Sequence, residues 1–200
     1  MKVFNSNIDF ESFLKKGTKK INDDFGVSLI TGYQGSGKTY FSVYVLYKYL
    51  KNKSKIRTNI RSLKIPGKKI EYFERIDDIV FQIDEDYVYI IDEISKKYTK
   101  ECKQDKLFYS WLQQSRKRRR TVLLITQEYL QVPIWLRGVA RFVYTTNKVK
   151  FLPIFKTVKG IAVLDKDTCE WTVEPLTTYY YKRTEVVAQM YDTMEPVQTL

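Results

Sequence analysis

Eight consecutive residues, Gly32-Tyr33-Gln34-Gly35-Ser36-Gly37-Lys38-Thr39, match the pattern G-x-x-x-x-G-K-[ST]. They lie between an apolar run, Val27-Ser28-Leu29-Ile30, and a stretch from Tyr40 with helical spacing. Strand, glycine-rich loop and helix form the context in which this pattern has a mechanism. Glycines let the backbone curl so that successive N–H groups face inward, and the helix start adds its positive end; together they bind phosphate. Lys38 is then positioned to reach β and γ phosphates, and the Thr39 hydroxyl to ligate Mg²⁺. Residues Gly32 to Tyr40 are the expected site of a nucleoside triphosphate, with ATP and Mg²⁺ as the expected cofactors. A Gly/Ser turn that matched by chance would lack both flanks.

A chain of 200 residues suits one α/β domain, able to bury roughly 70% of its unfolded surface. It contains Cys102 and Cys169 and no histidine, which argues against a zinc site or a disulfide framework and for a reducing compartment. The N-terminus lacks the apolar core of a signal peptide, and no apolar run approaches the ~20 residues that span a bilayer, so the chain reads as soluble.

The net charge is +12, which favours a polyanionic partner. Most of the excess lies between Ser95 and Arg120, where ten Lys or Arg face only Glu101 and Asp105, a local balance of +8. The segment Glu71 to Glu93 is the reverse, with nine acids against Arg75 alone. An acidic block and then a basic one describe a directed surface better than generic solubility. Arg116, Lys117, Arg118 and Arg119 are the expected contacts to nucleic-acid phosphates; the plainer alternative is a helix end whose cations meet its carbonyl dipole.

Periodicity predicts strands at Val27–Ile30, Ile56–Ile60, Tyr87–Ile91, Thr121–Ile125 and Arg141–Thr145. Helices are predicted over Thr39–Leu50 (Phe41, Val45, Leu46 and Tyr49 inward), Glu74–Gln82 (Ile76, Ile79, Val80 and Ile83) and Asp105–Arg118 (Leu107, Phe108, Trp111 and Leu112). Shorter helices are expected at Glu11–Lys16, Pro133–Val139 and Thr184–Met190. The two continuous apolar runs, Tyr87-Val88-Tyr89-Ile90-Ile91 and Thr121-Val122-Leu123-Leu124-Ile125, read as buried parallel strands. The expectation is an α/β protein with a mostly parallel central sheet flanked by helices. Its divisions are an N-terminal extension (1–25), a core (26–146) and a β-rich C-terminal extension (147–200) packed on the core. Trp111 and the many tyrosines are expected in the core rather than stacked on bases.

The strand ending at Ile91 runs into Asp92-Glu93. In a site that hydrolyses ATP, an Asp there holds the Mg²⁺ shell, directly or through water, and the adjacent Glu polarises the water that attacks the γ-phosphate. The alternative is an ordinary strand end with two solvated acids. Gln127 closes the next strand, where it is either a γ-phosphate sensor or a polar loop residue.

The order of these motifs, with Ser115-Arg116-Lys117 before Leu124-Ile125-Thr126-Gln127 and then Ile134-Trp135-Leu136-Arg137, resembles the FtsK/HerA superfamily of ring-forming DNA-pumping ATPases. Within it, the chain is similar to viral genome-packaging ATPases and to the ATPase domain of the zonular occludens toxin family of filamentous phages. The resemblance spans residues 26 to 145. It implies a RecA-like P-loop core, Glu93 as catalytic glutamate and Gln127 as sensor. It also implies an arginine finger acting on a neighbour's site, from the segment before Thr121, Arg120 included, or from Arg137. The implied partners are DNA, further copies of the chain in a ring, and capsid or vertex proteins; the implied location is the host cytoplasm or the virion.

Residues 147 to 200 lack the membrane-spanning run that toxin-family members carry after the ATPase domain, which ranks a packaging motor first and a phage assembly or secretion ATPase second. Two other classes stay open. One is a small-molecule phosphotransferase with the Arg run as a lid over the phosphates; the other is an assembly switch that binds ATP without turnover.

Overall fold

A computed structural model describes residues 25–48, 50, 55–150, 152–165 and 171–192. The expected helix at Glu11–Lys16, Tyr49 and Cys169 lie outside the described residues.

Eight strands form one sheet in the order β3-β2-β4-β5-β1-β6-β7-β8. They are β1 (Gly26–Thr31), β2 (Lys55–Thr58), β3 (Lys69–Tyr72), β4 (Val88–Ile91), β5 (Thr121–Ile125), β6 (Phe142–Lys148), β7 (Ile154–Leu164) and β8 (Trp171–Lys182). From β3 to β6 every pairing is parallel; β7 and β8 then continue the same sheet antiparallel. The helices are α1 (Lys38–Lys48), α2 (Asp77–Val80), α3 (Ile94–Lys97), α4 (Lys106–Gln113), α5 (Ile134–Val139) and α6 (Glu185–Ala188), with a 3-10 turn at Tyr129–Gln131.

The apolar runs of β1, β4 and β5 are continuous because both faces of the sheet are covered. On one face Ile30, Val88, Ile90, Leu123 and Ile125 pack with Phe41, Val45 and Leu46 of α1. On the other, Leu29, Tyr89, Ile91, Val122 and Leu124 pack with Phe108, Trp111 and Leu112 of α4 and Leu136 of α5. Trp111 is 4% exposed, a core residue as expected.

Three expectations change. β3 has no counterpart among the expected strands, because an edge strand with an exposed-to-intermediate pattern carries no apolar signal. The helix expected over Glu74–Gln82 contracts to α2, where Asp78 turns back to accept from the Glu74 and Arg75 N–H groups; Ile83, beyond its end, is 79% exposed. The helix expected over Asp105–Arg118 ends at Gln113, and Leu107 faces solvent. Its start is as expected, with Asp105 capping the Phe108 N–H at 3.0 Å. Its end comes early because the chain must reverse into β5: Arg119 N bonds Arg116 O, Arg120 N bonds Ser115 O, and Arg119 takes φ 53°. Five successive cations also repel one another on a helix. The basic run is therefore a tight turn rather than a long helix face.

Candidate nucleotide-binding site

Because β1, β4 and β5 are parallel, the segments leaving their C-terminal ends meet at one edge of the sheet. The loop after β1, Asp92-Glu93 after β4 and Thr126-Gln127 after β5 line a single cavity of about 400 Å³. Residues that precede those strands lie at the opposite edge. The basic turn is among them, since Thr121 pairs with Gly26 and Arg120 O accepts from Gly26 N at 2.8 Å. This corrects the expectation of an Arg lid over the phosphates.

The loop is shaped by contacts that only glycine permits. Gly32 has φ 147°, and a Cβ there would sit 2.4 Å from Thr146 O. Gly37 has φ 91°, and a Cβ would meet the Phe155 ring at 2.5 Å. Gly32 N also donates to Gln127 O at 3.0 Å, which ties the loop to the end of β5. Ser36 turns its hydroxyl toward Thr146 (2.9 Å), and Tyr33 projects into solvent at 75% exposure. Lys38 Nζ donates to the carbonyls of Gly32 (2.8 Å) and Tyr33 (3.0 Å), across the loop mouth. Burial lowers its pKa, while Asp92 and Glu93 act to raise it. α1 begins at Lys38 with no acid in its first turn, so nothing in it competes with an anion for the helix's positive end.

Asp92 is 8% exposed, and burial pushes its carboxyl up to about 6 against the hydrogen bonds that favour its charged form. Oδ2 accepts from Thr39 Oγ1 at 3.2 Å and Oδ1 from Glu93 N at 2.9 Å. A hydroxyl and a buried carboxylate converging in this way fit Mg²⁺, a hard cation that keeps several waters and completes its shell with substrate phosphate. Among the described residues no group of three or more His, Cys, Asp or Glu side chains is placed to hold a metal ion. Glu93 sits in the left-handed region (φ 52°, ψ 45°), a strained conformation for a non-glycine residue and one that concentrates at functional sites. Its Oε2 is shielded from solvent and meets Lys96 as an ion pair rather than through a directed hydrogen bond.

Several lining residues were not among the expected site residues. Asn59, just past β2, clasps the Asp92 backbone from both sides: Nδ2 donates to Asp92 O (3.0 Å) and Oδ1 accepts from Asp92 N (2.8 Å). From the C-terminal segment come Phe155, Arg183, Tyr191 and Asp192. Burial pushes the Tyr191 hydroxyl up to about 12, with Arg183 opposing. A polar residue ending a β-branched strand could have flagged Asn59; nothing local distinguishes Arg183.

Arg120 and Arg137 do not join the site. Arg120 is 1% exposed, donates to Asp84 O (2.8 Å) and Gln82 O (2.9 Å), and stacks over Trp111. Arg137 is 4% exposed, donates to Val132 O (2.9 Å) and covers Tyr129. Both guanidiniums are buried within this chain, against its own carbonyls and rings, although Nη1 of Arg120 has no hydrogen-bond partner there; burial of this kind runs against the expectation of a finger offered to a neighbouring subunit. Arg116, Lys117 and Arg119 remain exposed.

A glycine-rich loop and paired carboxylates at the C-terminal edge of a parallel sheet, flanked by helices, give the chain the fold of a RecA-like P-loop NTPase. A family model described as zonular occludens toxin (Zot) matches residues 26–196. The chain belongs to the zonular occludens toxin family. Among solved structures it is similar to the N-terminal domain of zonular occludens toxin from Neisseria meningitidis (22% identity, TM-score 0.60, 84% of this chain and 99% of that one covered). It is also similar to the genome packaging NTPase B204 of Sulfolobus turreted icosahedral virus 2 bound to ATP-gammaS (15% identity, TM-score 0.50, 76% and 98% covered). A third likeness is to the RadB recombinase (15% identity, TM-score 0.51, 81% and 90% covered). At these identities the likenesses speak to the fold. No curated protein sequence matches the chain. No helix among the described residues is long and apolar enough to cross a membrane.

Proposed function

We propose that the chain is an ATP-hydrolysing motor that moves viral DNA, working as a ring of copies. The observation that carries this is the convergence of Lys38, Thr39, Asp92, Glu93 and Gln127 on one cavity. The loop N–H groups and Lys38 bind the β and γ phosphates. Thr39 and Asp92 hold Mg²⁺, which when bound neutralises charge on the phosphate oxygens. Glu93 accepts the proton of an in-line water, and Gln127 reports the γ-phosphate to β5. The exposed Arg116, Lys117 and Arg119 and the half-buried Arg118 contact DNA phosphates without regard to sequence. The five residues of β5, followed by Thr126, join that turn to Gln127, with the strand a rigid link of about 17 Å between DNA and nucleotide.

Family membership favours a phage assembly or export role over capsid filling. The Neisseria chain is itself an N-terminal domain, so the lack of a spanning run in residues 147–200 is no departure from the family. The test is ATP turnover by purified chain with Mg²⁺, with and without DNA, beside Glu93→Gln. DNA-stimulated hydrolysis is expected, and Glu93→Gln should lower it by about 10²-fold or more while ATP binding persists. A phosphorylated small molecule as product, or ATP binding without turnover at any DNA concentration, would sink the motor.

A further inference from the structure

The β7–β8 hairpin reaches the phosphate loop from a distant part of the sequence. Phe155 of β7, paired with Tyr181 of β8, lies directly on Gly37 and stacks on Tyr40 at 5.1 Å. Just past β8, Arg183 lines the cavity above the loop and also an adjoining one of about 320 Å³, bordered by Gly35, Lys148 and Phe155. Its backbone is fastened on both sides. Arg183 N donates to Pro153 O at 2.8 Å, and the next residue, Thr184, donates its N–H to the Tyr40 hydroxyl at 2.8 Å. Tyr40 directly succeeds Thr39 in α1, so Arg183 is indexed to the same helix start that binds phosphate. The residue is exposed, and no carboxylate among the described residues forms an ion pair with it. A cation whose backbone is anchored beside a phosphate loop, and whose side chain is not consumed by an ion pair among the described residues, has an obvious complement in the nucleotide's phosphate chain.

We infer that Arg183 is a second cation of the nucleotide site, supplied by the same chain through its C-terminal hairpin, and that it contacts the phosphate chain of the bound nucleotide. This rests on the cavity being a nucleotide site. Lys38 enters from the loop and Arg183 from the hairpin, so the nucleotide bridges the two halves of the molecule. The guanidinium offers two parallel donors, which a single ammonium cannot reproduce.

The test measures binding of ADP and of inorganic tripolyphosphate to wild type, Lys38→Ala, Arg183→Ala and Arg183→Lys. Arg183→Ala should weaken both ligands by about tenfold or more, with Arg183→Lys recovering only part of the loss. Because the residue is exposed, the melting temperature without ligand should not move. Unchanged affinity in Arg183→Ala overturns the inference, as does a loss for ADP that spares tripolyphosphate, which would put the guanidinium on the nucleoside. A wild-type chain that binds neither ligand, indistinguishable from Lys38→Ala, defeats the nucleotide reading itself and this inference with it.

Discussion

Asn59 and Arg120 illustrate two different uses of a buried polar side chain. Asn59 pairs both the N–H and the C=O of the Asp92 residue and so fixes the angle at which the carboxylate leaves β4. Asn59→Ala leaves those two groups unpaired beside the cavity, and it should lower turnover about tenfold while reducing stability by about 1 to 2 kcal/mol; steady-state kinetics and chemical denaturation read the two effects separately. Arg120 is structural. Arg120→Ala strips two carbonyls of their donor and opens space under Trp111, so unfolding should become easier by about 3 kcal/mol. Mixed with wild-type subunits, this variant should not depress activity beyond dilution; stronger poisoning of mixed rings would restore the finger assignment.

At the scale of elements, the basic turn and the phosphate loop sit at opposite ends of the β1–β5 pair, which in the proposed motor would separate DNA contact from chemistry. Arg116→Ala with Lys117→Ala should therefore weaken DNA binding and lower the slope of log affinity against log salt by about 2 on duplex DNA, roughly one unit per lost phosphate contact. ATP hydrolysis without DNA should stay near wild type. A fall in basal turnover equal to the fall in DNA affinity would place the turn at the catalytic edge instead. That the run forms a turn could not be read from charge alone. Apolar periodicity stops at Leu112, and the polar and basic residues that follow hold no Gly or Pro to mark an end; the length of α4 is set by where β5 must begin.

For the whole molecule, the antiparallel hairpin is continuous with the parallel sheet and carries part of its aromatic core, Phe155 and Tyr181 against Tyr40 and Tyr44. A chain ended after Asn147 would leave β6 as an open edge, remove those rings and lose the hairpin's contact with Gly37. It should lose cooperative thermal unfolding and bind nucleotide poorly, whereas the intact chain should melt in one transition; calorimetry decides. A truncated chain that melts as sharply as the intact one would show the hairpin to be an accessory.

The phosphate loop, Asp92-Glu93, Gln127 and the parallel core strands were legible in the sequence because each is a contiguous run whose chemistry or periodicity is complete within a few residues. Their meeting at one edge is a consequence of the strands being parallel. Asn59, Phe155 and Arg183 were not legible, since what defines them is contact across 33 residues in the Asn59–Asp92 clasp and 144 in the bond between Tyr40 and Thr184. Nor was the division of the arginines: five adjacent cations look alike in sequence, and only packing decided that Arg120 turns into the core while Arg116 and Arg119 stay in water. Local pattern determined the phosphate-loop motif and the strands that carry it. Tertiary contact decided which side chains surround that loop, because burial and hydrogen-bond partners are properties of the folded neighbourhood rather than of the residue.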